Sequence, residues 1–165
     1  MPRVTFEQLP DHGRLWVFPL SRDLVGNESD RCMAVVDGFL DQWAAHGVAL
    51  RSARVVREGR FLLIGVDVDA EAPSGCSIDA LVGRLRELGE ELGVTFIDHA
   101  PVWFREEASV RTVTRSEFRA LATAGVVSPT SQIFDTTLTT VGQARNGSLE
   151  RPAAESWHGK AFFTS

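Results

Sequence analysis

The chain has 165 residues, of which 44% are hydrophobic, and a formal net charge of −5 at pH 7. This size suits one domain, or one domain with a small appended module, and the apolar fraction suffices for a buried core. The negative balance excludes a general nucleic-acid binder, which needs a basic patch. Two cysteines are too few for a disulfide scaffold, and no apolar run is long enough for a membrane span or a signal peptide. We therefore expect a soluble, cytoplasmic protein.

The first part of the chain predicts the order strand, helix, strand, strand, helix, strand. Short apolar runs indicate the strands, and apolar residues spaced three and four apart indicate the helices. This order favours an α+β fold with the ferredoxin-like arrangement βαββαβ, an antiparallel sheet with two helices on one face. After a leader over 1–13, the predicted elements are strand 14–20, a helix from about residue 27 that ends at Gly47, hairpin strands 48–56 and 61–69, helix 77–92 and strand 94–97.

The second part of the chain changes character, and we expect two domains: a ferredoxin-like domain over 1–105 and a small β-rich C-terminal module over 106–165. Many aromatic residues in the tail from Trp157 to Phe163 favour packing against the body rather than fraying. The predicted elements here are strands 102–105 and 110–113, helix 116–124 closed by Gly125, strand pieces at Ile133–Phe134 and Leu138, and a hairpin turn at Asn146-Gly147.

The apolar residues of the first strand indicate whether the sheet has a surface that a partner protein could bind. Leu15 and Val17 alternate with Trp16 and Phe18, so both faces of the sheet are apolar there. Two helices cover only one face, and a bare apolar sheet is an association site. We expect residues 100–165 to supply most of the missing cover. A second subunit or another protein partner, bound through this face or through the C-terminal module, is the alternative.

Cys76 is the best candidate for chemistry. It lies in the turn Ala72-Pro73-Ser74-Gly75-Cys76-Ser77, where an amphipathic helix is predicted to begin. The unpaired backbone N–H groups and the macrodipole at a helix N-terminus both favour a thiolate. The motif is short, and the chain has no Cys-x-x-Cys, His-Glu-x-x-His or Gly-x-Ser-x-Gly spacing that would specify a reaction.

The predicted topology brings further polar residues to the rim of the sheet where Cys76 lies, and three interpretations stay open. In the first, Cys76 is a nucleophilic or redox thiol, with His99 or His46 as base and Asp98 or Asp79 as the group that orients it; His99 and Asp98 are the preferred pair. In the second, the rim holds a divalent metal. In the third, the residues only cap helices and end strands, and the protein is a non-catalytic module that binds a protein or a small ligand. Cofactors are not indicated. The predicted binding residues of the rim are His46, Asp67, Asp69, Ser77 and Asp79.

Two segments carry resemblances. At Trp43-Ala44-Ala45-His46-Gly47 and over 72–80 the chain resembles a small uncharacterised bacterial family, some of whose members carry the automatic label "ABC transporter ATPase". That label does not carry over, because the chain has no Gly-x-x-x-x-Gly-Lys-[Ser/Thr] phosphate loop. The segment from Thr114 to Phe134 is similar to bacterial GYF-like modules, in which a short helix precedes a glycine, a proline and an aromatic residue. This resemblance implies binding of peptides or partner proteins, although the opening Gly-Pro-[aromatic] pattern is absent.

Overall fold

A computed structural model describes residues 3–164 of the chain. Short 3₁₀ turns over Phe6–Gln8 and Ala153–Glu155 accompany an α+β arrangement of helices and strands. In chain order the elements are β1 (Arg14–Pro19), α1 (Glu28–Leu40), β2 (Ala44–Ala45), β3 (Val48–Ala49), β4 (Ser52–Arg57), β5 (Phe61–Val66), α2 (Gly75–Leu92), β6 (Val102–Glu106), β7 (Ser109–Val113), α3 (Arg115–Thr123), β8 (Gln132–Phe134), α4 (Val141–Arg145), β9 (Glu150–Pro152) and α5 (Trp157–Phe163).

The first sheet has three strands in the order β1-β5-β4, and both pairings are antiparallel. Leu63 at the centre of β5 pairs with Val17 on one side and Val55 on the other. The chain leaves β1 through α1, returns as β4 on the far side of β5, and then turns directly into β5. The loop between β4 and β5 uses Glu58 (φ 57°) and Gly59 (φ 63°) in the left-handed region.

The predicted fourth strand over 94–97 is wrong, because this segment forms no strand. It does lie along the outer edge of β1, where the Ser21 N–H donates to the Thr95 carbonyl at 3.2 Å. The Leu15 N–H of the same edge donates to Thr139, and by the two-residue period of a strand Pro19 would be a later donor on that edge. Proline has no N–H, so a continuous ladder cannot form there.

The first helix is shorter than predicted. It ends at Leu40, and Ala44–Ala45 pairs with Val48–Ala49 in a small hairpin. His46 (φ 52°) and Gly47 (φ 78°) form its two-residue turn, so Gly47 closes a hairpin and not a helix. Trp43 has the spacing of the apolar stripe but lies beyond the end of α1. Its indole Nε1 donates to the Ser77 carbonyl at 2.8 Å.

The second sheet has the order β7-β6-β8-β9, all antiparallel. The predicted strands near 102–105 and 110–113 and the helix closed by Gly125 are confirmed, and the domain boundary predicted after residue 105 falls within β6. Asn146-Gly147 is not a hairpin turn, since it follows the short helix α4, and Leu138 lies outside the strands. Thr140 begins α4 by accepting a hydrogen bond from the Gln143 N–H at 3.3 Å.

Both faces of the first sheet are buried, as its alternating apolar residues predict. Phe18 faces the core formed with α1 and α2. Leu15 and Val17 face a second core, which Trp103 and Phe134 from the C-terminal part complete. The leader contributes to this core as well, because Phe6 and Leu9 are buried in it. The apolar face of the sheet is therefore covered by the chain itself and is not free for a second subunit. A third core lies beneath α3 and α5, centred on Phe118.

Candidate functional site

Cys76 is exposed in the first turn of α2, and among residues 3–164 its thiol makes no hydrogen bond. Two serines, Ser74 and Ser77, cap this end of the helix. The Ser74 hydroxyl accepts from the Ser77 N–H at 3.1 Å, and the Ser77 hydroxyl accepts from the Ser74 N–H at 2.8 Å. Ser77 also donates to the Ser74 carbonyl at 2.8 Å and is 4% exposed. Ser77, a predicted binding residue, is thus committed to the capping box.

The residues predicted as base and orienting acid are engaged elsewhere. Nε2 of His99 lies 2.7 Å from the Val17 carbonyl, and Nδ1 lies 3.3 Å from the Ile97 carbonyl. A carbonyl oxygen can only accept, so the short contact assigns the N–H of the neutral ring to Nε2, and this nitrogen is not a base for a thiol. Asp98 accepts a hydrogen bond from the Ala100 N–H at 2.9 Å, in a local turn. Within the described chain no hydrogen bond joins His99 to Asp98 or to Cys76, so the hydrogen-bonded relay required for thiol activation is not formed.

The other residues of the predicted rim form separate pairs or face solvent. Asp67 lies 3.5 Å from the Arg51 guanidinium and accepts from the Asp69 N–H at 3.0 Å. Asp69 contacts Nε2 of His12 at 2.6 Å. His46 and Asp79 are exposed. Over residues 3–164 no three His, Cys, Asp or Glu side chains lie close enough together to hold a metal ion, so the geometry gives the metal interpretation no ligand set.

A concave surface at the C-terminal end of the chain is the better candidate. We call it the α5 groove. Its volume is about 630 Å³, within the range of ligand sites in proteins. Trp157 and Phe163, both half-buried, and exposed Pro129 supply its apolar surface, and Lys160 lies at its margin.

The local sequence explains the shape of the groove. The Ala154 N–H donates to the Pro129 carbonyl at 2.9 Å, which holds the turn before α5 against the end of the α3 loop. The Ser156 hydroxyl accepts from the His158 N–H at 3.2 Å and begins α5. Gly159 lets the helix lie close, because a Cβ there would stand 3.0 Å from the Ala153 carbonyl oxygen. Rigid backbone therefore positions the aromatic rings.

Lys160 belongs to the lining of the groove, and two arginines of α3 contact aromatic rings of α5. The Arg115 guanidinium lies 5.0 Å from the centre of the Trp157 ring, and that of Arg119 lies 5.2 Å from the centre of the buried Phe162 ring. These cation–π contacts keep the arginines on the face that α3 and α5 share. In the part of the chain that the structure describes, neither these arginines nor Lys160 has a carboxylate within ion-pair distance, whereas Arg105 and Arg145 do.

A buried histidine, His158, packs against Trp157 of the α5 groove. His158 is 2% exposed, its ring stacks on Trp157 with centres 3.9 Å apart, and its Nδ1 lies 2.7 Å from the Ser156 hydroxyl. Burial lowers the pKa of His158 to about 4, although the Asp135 carboxylate acts in the opposite direction. The ring is therefore neutral at pH 7, which suits a structural support and leaves no proton to donate at that pH.

Sequence reasoning missed the α5 groove as a site. The cluster of aromatic residues in the tail predicts packing, and that prediction is confirmed by the core around Phe118 and Phe162. The same signal gives no sign that Trp157 and Phe163 keep part of their surface open. Only the contact of the tail with the loop at Pro129 makes the surface concave.

Comparison with known proteins identifies no relative. No protein-family model, no curated protein and no solved structure matches the chain. The two resemblances described above therefore stay predictions. None of the helices within residues 3–164 combines the length and the hydropathy that crossing a bilayer would require.

Proposed function

We propose that this protein is a non-catalytic binding module that recognises an exposed segment of a partner protein through the α5 groove. The observation that carries the proposal is the combination of Trp157, Phe163 and Pro129 on one concave surface, with Lys160 in its lining and the Arg115 guanidinium 5.0 Å from the centre of the Trp157 ring. Aromatic side chains dominate the energetics of protein interfaces, because they bury a large area with few rotatable bonds. The resemblance to GYF-like modules, which overlaps α3 and the loop at Pro129, implies the same class of function.

The charges favour an acidic partner. Lys160 lines the groove, and Arg115 and Arg119 contact rings of α5. Glu155 is an acidic residue close to the groove. Glu117, the acidic residue of α3, accepts from the Thr114 N–H in the capping box and is not free for a partner. We therefore expect a segment that places apolar side chains against Trp157 and carboxylates beside the cations.

The test uses a fluorescein-labelled peptide in which two leucines are flanked on each side by glutamates, and a matched peptide with lysines in place of the glutamates. Anisotropy titrations should show tighter binding of the acidic peptide. The double variant Arg119→Glu/Lys160→Glu should weaken that binding about tenfold, since each exposed ion pair contributes about 0.2–1 kcal/mol. Arg86→Glu, an exposed arginine on α2 away from the groove, is the control and should leave the affinity unchanged.

Equal affinity for the two peptides, or equal effects of the groove and control variants, would contradict the proposal. Circular dichroism spectra and melting curves of each variant separate loss of binding from loss of fold. Both substitutions replace exposed side chains, and loss of the contact between Arg119 and Phe162 should cost about 0.5–1 kcal/mol of stability.

For the fold we propose that residues 14–97 form a ferredoxin-like unit whose fourth strand is replaced by an irregular segment. The β1-β5-β4 order, with two crossing helices on one face, supports this assignment. The segment from Thr95 to His99 lies where the missing strand would be, and it contacts Ser21 and the Val17 carbonyl at the outer edge of β1.

A further inference from the structure

A second concave site, which we call the hairpin cleft, opens where α1 begins beside the β4–β5 turn. Its volume is about 400 Å³, at the lower end of the range for small-molecule sites. Leu24, Met33, Val56 and Phe96 supply apolar walls, and the carboxylates of Asp23 and Glu58 stand at its rim. The cleft and the α5 groove share no lining residue.

The cleft follows from how the helices cover the sheet. Leu62 at the start of β5 is fully buried at its base, yet α1 begins only at Glu28, after the loop that follows Leu20. The buried thiol of Cys32 forms part of the lining, and burial raises the pKa of this thiol to about 11. The thiol is therefore neutral at pH 7, and the apolar walls beside it suit a hydrocarbon body. Met33 adds a side chain that adapts to different shapes.

Two carboxylates, Asp23 and Glu58, belong to the rim of the cleft. Asp23 has a side chain that is 77% exposed, and its nearest cation is the Arg60 guanidinium at 3.6 Å. Arg60 is itself 6% exposed and donates to the Leu20 carbonyl at 3.3 Å and to the Thr112 hydroxyl at 2.5 Å. Its charge is thus directed into the protein, and Asp23 keeps most of its capacity to accept hydrogen bonds from a ligand.

Glu58 adds a second carboxylate to the rim. It pairs with Arg105, but Arg105 also binds Glu150 at 2.7 Å, so one cation serves two acids. The N-terminus of α1 would attract an anion, but its first turn already contains Asp30 and Glu28, the latter paired with Arg22 at 2.9 Å. Among the described residues that line the cleft itself, two are carboxylates and none is an arginine or a lysine.

We propose that the hairpin cleft binds a small amphipathic cation, in which a compact hydrocarbon body fills the cleft and an ammonium group lies between Asp23 and Glu58. An ammonium offers three N–H donors, and the two rim carboxylates supply acceptors for them. An alkanoate of the same length would meet these carboxylates with a like charge. This site is independent of the α5 groove, so the failure of one proposal leaves the other intact.

The probes are hexylamine, hexanol and hexanoate, and the reporter is the methyl group of Met33. The chain has only two methionines, Met1 and Met33, so methyl-¹³C-methionine labelling gives a simple spectrum with one signal from the cleft. We expect hexylamine to shift the Met33 signal at the lowest concentration, hexanol at about tenfold higher concentration and hexanoate least of all. Affinity should rise about fourfold for each methylene from butylamine to hexylamine.

Two variants locate the binding. Ser29→Trp, at the mouth of the cleft, should abolish the shift, whereas Ala34→Trp, an exposed position on the same helix outside the lining, should preserve it. Asp23→Asn should weaken hexylamine about threefold and leave hexanol unchanged, with Asp79→Asn as a control.

Equal affinity for hexylamine and hexanol would overturn the assignment of a cationic ligand. If none of the three probes moved the Met33 signal, or if Ser29→Trp had no effect, the cleft itself would be refuted as a binding site. Melting curves of each variant show that the fold persists during these comparisons.

Discussion

The pH dependence of stability should be dominated near neutrality by one buried side chain, His158. Its folded-state pKa is about 4, because burial disfavours the charged ring. The cations of Arg115 and Arg151 act in the same direction, whereas Asp135 opposes them. In the unfolded chain an unperturbed histidine titrates near pKa 6.5. Protons therefore bind the unfolded state first and pull the equilibrium toward it as the pH falls.

The magnitude follows from the difference between the two pKa values. Roughly 2.5 pH units at about 1.36 kcal/mol per unit give a loss of about 3 kcal/mol in the free energy of unfolding between pH 7 and pH 4. Since the folded pKa is the lower one, this contribution is fully present above about pH 6.5 and is lost as the pH falls to about 4. A domain of ordinary stability has only about 5–15 kcal/mol in total, so the effect should be large.

The measurement compares the wild type with His158→Phe. Phenylalanine keeps an aromatic ring against Trp157 but cannot titrate, and it loses the hydrogen bond to Ser156. We expect the variant to be about 1 kcal/mol less stable at pH 7, from that lost bond. Its free energy of unfolding should then fall less steeply toward pH 4 than that of the wild type. Urea unfolding at several pH values, followed by circular dichroism, gives both curves.

A control removes an exposed histidine in the same way. His46→Gln changes an exposed ring in the β2–β3 turn and should not alter the shape of the wild-type curve by as much as His158→Phe does. If the curves of His158→Phe and the wild type ran parallel from pH 7 to pH 4, the proton linkage assigned to His158 would be wrong.

Two further results should follow from the packing of α2 and the two thiols. Gly89→Ala should destabilise the protein by about 1–3 kcal/mol, because the new Cβ would lie 2.5 Å from the Val94 carbonyl oxygen. Gly83→Ala, on the same helix, meets no atom within 4 Å and should stabilise the protein by about 0.5–1 kcal/mol. Urea unfolding checks this pair, since the two changes in the free energy of unfolding should have opposite signs. Iodoacetamide at neutral pH should alkylate exposed Cys76 and spare Cys32, as measured by mass spectrometry, and equal modification of both would contradict the described burial.

Local sequence signals predicted the elements that depend on local chemistry. The run of apolar residues in β1, the helical spacing in α2 and the glycines after α2 and α3 all correspond to observed elements. Gly93 (φ 71°) and Gly125 (φ 75°) have the left-handed conformation expected at helix ends. The alternation of Leu15 and Phe18 also predicted correctly that both faces of the sheet are buried.

The errors occurred where two segments compete for the same backbone groups. The segment at Thr95 has a strand-like sequence, but the edge of β1 that it approaches is already occupied by Thr139 and interrupted by Pro19. The glycine at position 47 fits a helix end or a tight hairpin equally well, and Ala44–Ala45 pairing with Val48–Ala49 decides for the hairpin. Neither outcome is visible in a window of neighbouring residues.

The predicted rim illustrates the same limit for function. Topology placed His99 and Cys76 at one end of the sheet, but topology does not say where a ring nitrogen points. In the structure the His99 ring contacts the Val17 carbonyl, and Ser74 and Ser77 cap α2 through hydrogen bonds to each other. Side-chain direction depends on the exact path of the backbone over a few ångströms, which the order of elements leaves open.

The sequence by itself determined the α+β class, the two-sided burial of the first sheet and the composition of the aromatic tail, because periodicity and apolar content act over short stretches of chain. Only the tertiary structure decided where concave surface stays open. The α5 groove needs Pro129 beside Trp157, and the hairpin cleft needs Phe96 beside Met33. Residues so far apart in the chain come together through packing of whole elements, and that packing is fixed by the fold and not by any local pattern.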